Sequence, residues 1–227
     1  MIKLIDVYKE YPRSGLALKN VSFHVAKGEF TFLTGPSGSG KTTILRLIHM
    51  AEAPTDGEVR VSGFSSKRMK RHEIARLRRR VGMVFQDFRL LRDRTAAENL
   101  AFALEVTGAR RSDIKGKVQR LLAQVGLVAR SGAYPDELSG GEQQRVVIAR
   151  ALIHDPVVLL ADEPMGNLDE RAARGIFDLA RDINAAGTAV VLATHDLEMV
   201  RRHSKYRVIE LSDGAVVYDS SDTDGVS

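Results

Sequence analysis

The octapeptide GPSGSGKT at residues 35–42 restricts the possible folds of this chain more than any other feature. It fits the pattern G-x-x-x-x-G-K-[ST], a loop whose backbone N–H groups surround a phosphate. An apolar run precedes the loop and a helical pattern follows it from Lys41, which is the strand–loop–helix context that the pattern requires. We therefore expect Lys41 to contact the β- and γ-phosphates of a nucleotide, and Thr42 to bind Mg²⁺. The residues expected to bind the nucleotide are Gly35, Pro36, Ser37, Gly38, Ser39, Gly40, Lys41, Thr42 and Thr43.

A second apolar run, at residues 156–161, ends in the two carboxylates Asp162 and Glu163. A central parallel strand with this ending would place both carboxylates at the edge of the sheet where ligands bind. There Asp162 would hold Mg²⁺ through water, and Glu163 could act as the general base on an attacking water. Two adjacent carboxylates are also a common helix start, so this prediction depends on the phosphate-binding loop upstream.

Strand and helix patterns alternate along the chain, which predicts a single α/β domain built on a mostly parallel sheet. The predicted strands are Lys3–Tyr8, Val21–Val25, Phe30–Thr34, Gly57–Val61, Val81–Phe85, Val157–Ala161, Ala189–Ala193, Arg207–Leu211 and Ala215–Tyr218. The predicted helices are Lys41–Met50, His72–Arg79, Thr95–Val106, Ser112–Val125, Gly141–Ile153, Arg171–Asn184 and Leu197–His203. Only helices are predicted from about residue 90 to 153, which indicates an inserted helical subdomain, and residues from about 219 to 227 are expected to fray.

Composition argues against disulfide-stabilised, zinc-cysteine and membrane-spanning proteins. The chain of 227 residues has no cysteine, so it has no disulfide framework and no Cys-ligated zinc. Its first residues alternate like a strand and lack the apolar core of a signal peptide. The most apolar stretches are too short to span a bilayer, so we expect the chain not to cross a membrane on its own.

The net charge of +5 is local rather than spread along the chain. Residues 67–80 contain eight basic residues and one acidic residue, whereas the rest of the chain has 26 basic and 28 acidic residues. A solvated basic helix accounts for this segment, and so does a surface that lies near anionic lipid or an acidic partner.

Residues 138–145 read LSGGEQQR and resemble the signature of ABC-type ATPases. Ser139 lies where a helix N-cap is expected, and the two glycines that follow leave the first N–H groups of that helix accessible to a phosphate. The other motifs of the family occur in order: Tyr11 for the adenine-stacking aromatic, Gln86 for the Q-loop, residues 166–169 for the D-loop and His195 for the switch histidine. Tyr8 is close to Tyr11 in sequence, but Pro12 ends the strand beside Tyr11 and favours it for stacking.

The resemblance covers residues 1 to about 218 and implies the ABC ATPase fold: a P-loop NTPase core with a mostly parallel sheet, an antiparallel β-subdomain and an inserted α-helical subdomain. It implies Mg²⁺-dependent ATP hydrolysis by a homodimer that encloses ATP head to tail. The implied catalytic residues are Glu163, His195, Gln86 and Lys41. The implied metal ligands are Thr42, Gln86 and Asp162. The implied signature residues, which would contact the other subunit's ATP, are Ser139, Gly140, Gly141 and Glu142, and Asp169 belongs to the D-loop.

The sequence departs from the family pattern at two positions. Met165 replaces the usual Thr after Glu-Pro, and Met50 stands where many relatives have a helix-ending Gly.

Within the family, residues 85–106 and 159–169 resemble the bacterial cell-division ATPases, although the second segment is shared with lipoprotein-releasing and macrolide-export relatives. The resemblance implies an FtsX-like integral membrane partner that controls cell-wall hydrolases, with the chain on the cytoplasmic side of the membrane at the division site. Phe88 and Leu90 follow Gln86 and lie among arginines, so they are candidates for contacting that partner. Both could instead be core residues under the helical subdomain.

A different class, the DNA-repair and chromosome-organising ATPases, also carries this signature. Members of that class insert a long coiled coil or zinc-binding Cys clusters between the phosphate loop and the signature. Lys41 and Ser139 are 98 positions apart here, without sustained heptads or any Cys. We therefore expect no nucleic-acid partner.

Overall fold

The computed structural model describes residues 1–222, which form two β-sheets and a set of helices packed against them. The strands are β1 (Ile2–Tyr11), β2 (Gly15–Val25), β3 (Phe30–Thr34), β4 (Asp56–Val61), β5 (Phe64–Ser65), β6 (Val81–Val84), β7 (Val158–Asp162), β8 (Ala189–Ala193), β9 (Arg207–Ser212) and β10 (Ala215–Asp219). The α-helices are α1 (Lys41–Ile48), α2 (Arg71–Arg80), α3 (Ala96–Glu105), α4 (Arg111–Gln124), α5 (Gly140–Leu152), α6 (Glu170–Ala185) and α7 (Leu197–Arg202).

The larger sheet has six strands in the order β10-β9-β3-β8-β7-β6. All neighbouring pairs are parallel except β10 with β9 at the edge. Every residue of β3, β7 and β8 is buried, which explains why these strands read as uninterrupted apolar runs. Because parallel strands end at the same edge, the loops after β3, β6, β7 and β8 meet there.

The smaller sheet is antiparallel, in the order β2-β1-β4-β5, and it packs on α1. Four apolar residues of α1 share one core with the inner face of this sheet and with one face of the larger sheet. The helix ends in a turn where Met50 has a left-handed backbone (φ 52°) and Ala51 N–H donates to the Arg46 carbonyl at 2.9 Å. This is the geometry that glycine usually supplies, and Met50 adopts it with a buried side chain.

Between residues 90 and 153 the structure contains only helices: α3, α4, α5 and two short 3₁₀ turns, Val128–Arg130 and Pro135–Glu137. Their apolar faces form a second core with α6 and with the opposite face of the larger sheet, including Phe32 and Leu159. The signature segment at the start of α5 is therefore attached to the nucleotide-binding core through packed helices.

The predicted α/β class, with a mostly parallel sheet, an antiparallel sheet and inserted helices, is confirmed. Some limits differ: β1 and β2 are longer than predicted, α1 ends before Met50, and no pattern in the sequence indicated β5. Of the tail expected from about residue 219, Asp219 ends β10 with its carboxylate 2.6 Å from Arg207 Nη2, and residues 220–222 form a 3₁₀ turn. Residues 223–227, the rest of the expected tail, lie outside the described residues. Among residues 1–222, no helix is both long and apolar enough to cross a bilayer.

Candidate nucleotide-binding site

Two positions of the loop between β3 and α1 require glycine. At each, the backbone conformation and the neighbouring atoms leave no room for a side chain. Gly35 has φ 137°, and a Cβ atom built there would lie 2.2 Å from the Leu211 carbonyl oxygen. Gly40 has φ 106°, and its Cβ would lie 2.6 Å from a methyl of Leu18. Gly35 thus allows a close approach of backbone that a side chain would prevent, and Gly40 combines a left-handed backbone with close contact to the Leu18 side chain. Gly40 is also the N-cap of α1, so the helix begins directly at Lys41.

The ends of four parallel strands surround a cavity of about 430 Å³ beside this loop. The cavity is lined by Ala17, Pro36, Ser37, Gly38, Gly40, Lys41, Thr42, Thr43, Gln86, Asp162, Glu163 and His195. The structure therefore brings the phosphate loop, the paired carboxylates, the Q-loop glutamine and the switch histidine together. Gly35 and Ser39 are not in the lining: Ser39 is buried under the loop, and the Gly35 carbonyl accepts a hydrogen bond from Lys41.

Lys41 is a buried residue in the lining of the cavity. Its Nζ donates to the carbonyl oxygens of Gly35 at 2.7 Å and Pro36 at 3.0 Å. The same atom lies 4.0 Å from Glu163 Oε1. A phosphate in the loop would offer this ammonium group anionic acceptors in place of neutral carbonyls, so the side chain is well placed to respond to a nucleotide.

Glu163 and His195 form the polar pair that faces the loop. Glu163 Oε1 lies 2.8 Å from His195 Nδ1. The glutamate side chain is only 11% exposed, whereas the histidine side chain is 68% exposed. Glu163 also has a left-handed backbone, φ 46°, fixed by its N–H group donating to the Ala193 carbonyl at 3.0 Å. A non-glycine residue in this conformation is strained, and such strain is concentrated at functional sites.

Asp162 and Thr42 supply oxygen atoms suited to a magnesium ion. Burial raises the pKa of the Asp162 carboxyl, a hydrogen bond with the Thr42 side chain lowers it, and the neighbouring Glu163 raises it further. A carboxylate, a hydroxyl and the amide of Gln86 in one cavity are the donors that Mg²⁺ prefers. A bound cation would remove the electrostatic cost of keeping Asp162 ionised beside Glu163.

Tyr11 lies beside the cavity without lining it. Its hydroxyl donates to Glu52 Oε2 at 2.7 Å and lies 3.5 Å from the Thr43 hydroxyl. Lys9 Nζ lies 5.0 Å from the centre of its ring and pairs with the same glutamate. Nothing in the sequence pointed to Glu52 and Lys9, because they lie on different elements and meet only in the fold.

The signature segment begins α5 but does not reach the cavity of its own chain. Ser139 is the N-cap: its hydroxyl accepts from Glu142 N–H, and Glu142 Oε2 accepts from Ser139 N–H at 2.8 Å. These bonds and Arg130, whose Nε lies 3.2 Å from Glu142 Oε1, keep the pKa of Glu142 below its usual value despite partial desolvation. Gly140 and Gly141 pack against Leu168 and Ala172, so the signature touches the D-loop and α6.

Asp169 of the D-loop is the N-cap of α6, where its carboxylate accepts from Ala172 N–H at 2.8 Å. The carboxylate is therefore used within its own chain. Met165, in the position where Thr is usual, packs its side chain partly against the apolar core. Neither residue lines the cavity.

The segment after Gln86 differs from the expected exposed apolar anchor. Phe88 and Leu90 are half-buried and pack against the core, so the alternative that they belong partly to the core is supported. Arg150 donates to the carbonyl oxygens of Phe88 at 3.0 Å and Arg89 at 2.7 Å, which fixes this segment to α5. Arg89 itself has a left-handed backbone (φ 48°) and lies over the Phe85 ring.

The exposed apolar side chains near this segment lie on α3 and at the C-cap that follows it. Phe102 is 36% exposed and Val106 is 64% exposed. Arg94, from the end of the Q-loop segment, stacks on the Phe102 ring at 4.5 Å and pairs with Glu105. Residues 102 and 106 are one helical turn apart, which predicts an apolar stripe on one side of the helix. The sequence alone does not tell whether that stripe is exposed or buried.

Comparison with known proteins agrees with this geometry. A family model described as "ABC transporter" matches residues 18–166. The chain is 51% identical over 220 residues to "Cell division ATP-binding protein FtsE" of Mycobacterium tuberculosis, covering 96% of this chain and 95% of that protein. It is 47% identical to the protein of that name in Escherichia coli, covering 94% and 96%. Among solved structures, the dimeric post-hydrolysis state of the ATP-binding cassette MJ0796 bound to ADP and Pi has a TM-score of 0.86 and 36% identity, covering 96% of this chain and 97% of that chain.

Proposed function

The chain belongs to the ABC transporter family as an ATP-binding, ATP-hydrolysing subunit of the cell-division type, and we propose that it couples ATP-driven dimerisation to an FtsX-like integral membrane partner. The observation that carries this proposal is the convergence of Lys41, Glu163 and His195 on one cavity in a chain that matches cell-division relatives along almost its whole length. Through the partner, the complex would control cell-wall hydrolases during division.

In the proposed chemistry each polar group of the cavity has a separate role. Glu163 accepts a proton from the attacking water, and His195, at 2.8 Å, orients its carboxylate. Lys41 and the N–H groups of residues 35–43 stabilise negative charge on the phosphates, and Tyr11 stacks on the adenine. Thr42, Asp162 and Gln86 hold Mg²⁺, which, when bound, neutralises charge on the phosphate oxygens.

We propose that two chains bind ATP between them, head to tail. One chain would supply the cavity, and the other would supply Ser139, Gly140, Gly141 and Glu142 together with Asp169. The support is that the signature lies outside the cavity of its own chain and begins a helix whose first N–H groups can donate to a phosphate. The solved MJ0796 cassette to which the chain is similar is itself dimeric.

The proposed contact with the membrane partner is the Q-loop/α3 surface, defined as Phe88, Leu90, Phe102 and Val106. It combines half-buried and exposed apolar side chains with a rim that includes Arg89, Arg92 and Arg94. An apolar centre with a charged rim is typical of protein–protein contacts. Binding there would hold the chain at the cytoplasmic face of the membrane, at the division site.

The partner contact can be tested by co-purification of the membrane partner from detergent-solubilised membranes. Val106→Asp is the primary variant because its side chain is exposed and the fold should tolerate it. Leu90→Asp probes the half-buried part of the same surface. Val217→Asp is the matched control, since Val217 is 58% exposed on β10, at the opposite edge of the large sheet from β6. We expect Val106→Asp to reduce recovery of the partner by at least about tenfold, which is a loss of about 1.4 kcal/mol or more in binding free energy, and the control to retain it.

ATP binding by each purified variant reports folding independently of the partner. If folded Val106→Asp and Leu90→Asp both recover the partner at the wild-type yield, the proposed surface is wrong. If the recovered partner is a lipoprotein-releasing or exporting permease, the cell-division role is wrong while the ATPase assignment stands. Insolubility of Leu90→Asp alone would show that Leu90 acts as a core residue.

A further inference from the structure

A second concave site lies away from the nucleotide cavity and has a different chemical character. It has a volume of about 590 Å³ and lies between the β4–β5 turn, α2 and the loop from α5 to β7. Its lining, which we call the basic pocket, consists of Ser62, Gly63, Phe64, Arg76, Arg79, Arg80 and His154. Three guanidinium groups and an imidazole therefore face one space whose lining contains no carboxylate.

The fold holds one of these guanidinium groups in place. Arg80 Nη1 donates to the Ser62 hydroxyl at 3.2 Å, and the guanidinium lies 5.9 Å from the centre of the Phe64 ring. Ser62 and Gly63 both have left-handed backbones, φ 49° and 87°, and form the tight turn between β4 and β5. The turn and the end of α2 are thus fixed to each other by Arg80.

Arg76 and Arg79 lie on the same face of α2 as Arg80, because residues three and four apart are neighbours on a helix. Neither forms an ion pair or a side-chain hydrogen bond with any residue of the described chain, 1–222. Some arginines have acidic partners, such as Arg174 with Glu170, whereas others, such as Arg71, have none among the described residues. What distinguishes Arg76 and Arg79 is that they line one space together with Arg80 and His154. The helix dipole favours cations in the last turn of α2, but it does not account for the absence of acidic partners around three clustered arginines.

His154 lines the pocket opposite α2, from the loop between α5 and β7. Burial lowers the pKa of His154, the positive charges of Lys117 and Arg79 lower it further, and a hydrogen bond to the backbone of Ala103 opposes them. Lys117 is itself paired with Asp155 at 2.6 Å, outside the lining. The imidazole thus responds to the charges of the pocket, and a bound anion would change its titration.

From this placement we propose that the basic pocket binds a phosphate group through Arg76 and Arg79, with Arg80 held as a third donor. Guanidinium forks match phosphate oxygens in pairs, and a phosphate can accept hydrogen bonds from several directions at once. A carboxylate, which is planar, would use fewer of the donors. Two sources fit this chemistry: the headgroup of an anionic phospholipid and a soluble phosphate compound. The site is separate from the nucleotide cavity and does not depend on the ATPase chemistry.

The lipid source is tested by flotation of the full chain with vesicles of phosphatidylcholine, with and without about one quarter phosphatidylglycerol. Arg76→Gln/Arg79→Gln removes the two unpaired guanidinium groups. Arg71→Gln/Arg120→Gln is the charge-matched control, since both residues are exposed and neither lines the pocket. At about 1 kcal/mol for each basic residue near an anionic surface, the pocket variant should bind the anionic vesicles at least about tenfold more weakly, and the control should stay much closer to the wild type.

The soluble source is tested with pyrophosphate, in the presence of saturating ADP so that the nucleotide cavity is filled. The readout is the imidazole NMR signal of His154, assigned with His154→Gln. A saturable shift in the wild type that is lost in Arg76→Gln/Arg79→Gln supports a soluble phosphate ligand, whereas pocket-dependent vesicle binding without such a shift supports a lipid headgroup.

Three results would overturn the proposal. The first is an equal loss of vesicle binding in the charge-matched control, which would indicate only general charge. The second is no response in either experiment. The third is a His154 shift caused by polyglutamate but not by pyrophosphate, which would indicate an acidic protein partner instead.

Discussion

Glu163 combines a left-handed backbone with a carboxylate that is held close to two polar side chains. Its backbone is left-handed, which costs of the order of 1–3 kcal/mol for a residue with a Cβ atom. Its carboxylate is nevertheless fixed at 2.8 Å from His195 and 4.0 Å from Lys41. The surrounding structure therefore maintains an unfavourable backbone in order to direct this carboxylate toward the phosphate loop. This arrangement is expected of a preorganised general base.

We expect Glu163→Gln to bind ATP normally and to hydrolyse it at least about 10²-fold more slowly, since an amide cannot accept the proton of water. ATP should then keep the dimer closed, which size-exclusion chromatography would detect. Glu170→Gln is the control, because Glu170 is an exposed glutamate outside the cavity that pairs with Arg174 on the surface of α6. Wild-type phosphate release by Glu163→Gln would remove Glu163 from the mechanism.

His49, at the end of α1, should make the stability of the protein depend on pH. Burial and the nearby Arg78 lower its pKa to about 4. The unfolded chain binds this proton at about pH 6.5, so it carries more protons than the folded chain between these values, and stability falls as pH falls from about 6.5 to 4.

The loss of unfolding free energy attributable to His49 is at most about 3.4 kcal/mol across that range. His49→Gln should flatten this part of the pH profile in urea unfolding, and His72→Gln, at an exposed position on α2, should not. An unchanged pH slope in His49→Gln would contradict a buried neutral imidazole.

At the scale of elements, the sequence predicts helices well because their limits are chemically marked. Thr95, Ser139 and Asp169 each accept a backbone N–H as N-caps, and apolar periodicity supplies the rest. The first part of β2 and the two residues of β5 each pair with the strand immediately before them. They lack such signals because most residues in that part of β2 are exposed and β5 is too short to show an alternating pattern. The phosphate loop can be predicted from a local sequence pattern. The Tyr11–Glu52 hydrogen bond and the burial of Phe88 cannot, because they depend on tertiary packing.

Close packing between α5 and β6 links the signature helix to the strand before the Q-loop, and Gly82 makes it possible. A Cβ at Gly82 would lie 2.6 Å from the Ala151 carbonyl oxygen. Gly82→Ala should therefore destabilise the protein by roughly 1–3 kcal/mol in urea unfolding, because backbone must move to admit the methyl group. Gly116→Ala, where a Cβ meets nothing within 4 Å in α4, should instead stabilise it by up to about 1 kcal/mol. Equal effects of the two substitutions would exclude this packing constraint.

For the whole molecule, the fold keeps the signature segment apart from the cavity of its own chain, and in the proposed dimer these are two separate parts of one site. The cavity collects Lys41, Glu163 and His195, while Ser139 lies outside it at the start of α5. The signature glycines are packed against the D-loop of their own chain, so signature and D-loop form one surface. In the proposed head-to-tail dimer, a second chain brings such a surface to the phosphates.

That arrangement predicts complementation between two inactive chains. Ser139→Arg should bind ATP but not hydrolyse it, because the lesion lies on the surface that faces the partner's γ-phosphate. Lys41→Ala should fail because its own cavity lacks the ammonium group. In a heterodimer of the two, one site contains both lesions and the other contains neither, so phosphate release should recover in part when the proteins are mixed. Each variant alone is the control, and differently tagged chains allow heterodimers to be isolated. No recovery in isolated heterodimers would count against a shared head-to-tail site, unless hydrolysis requires both sites to be intact.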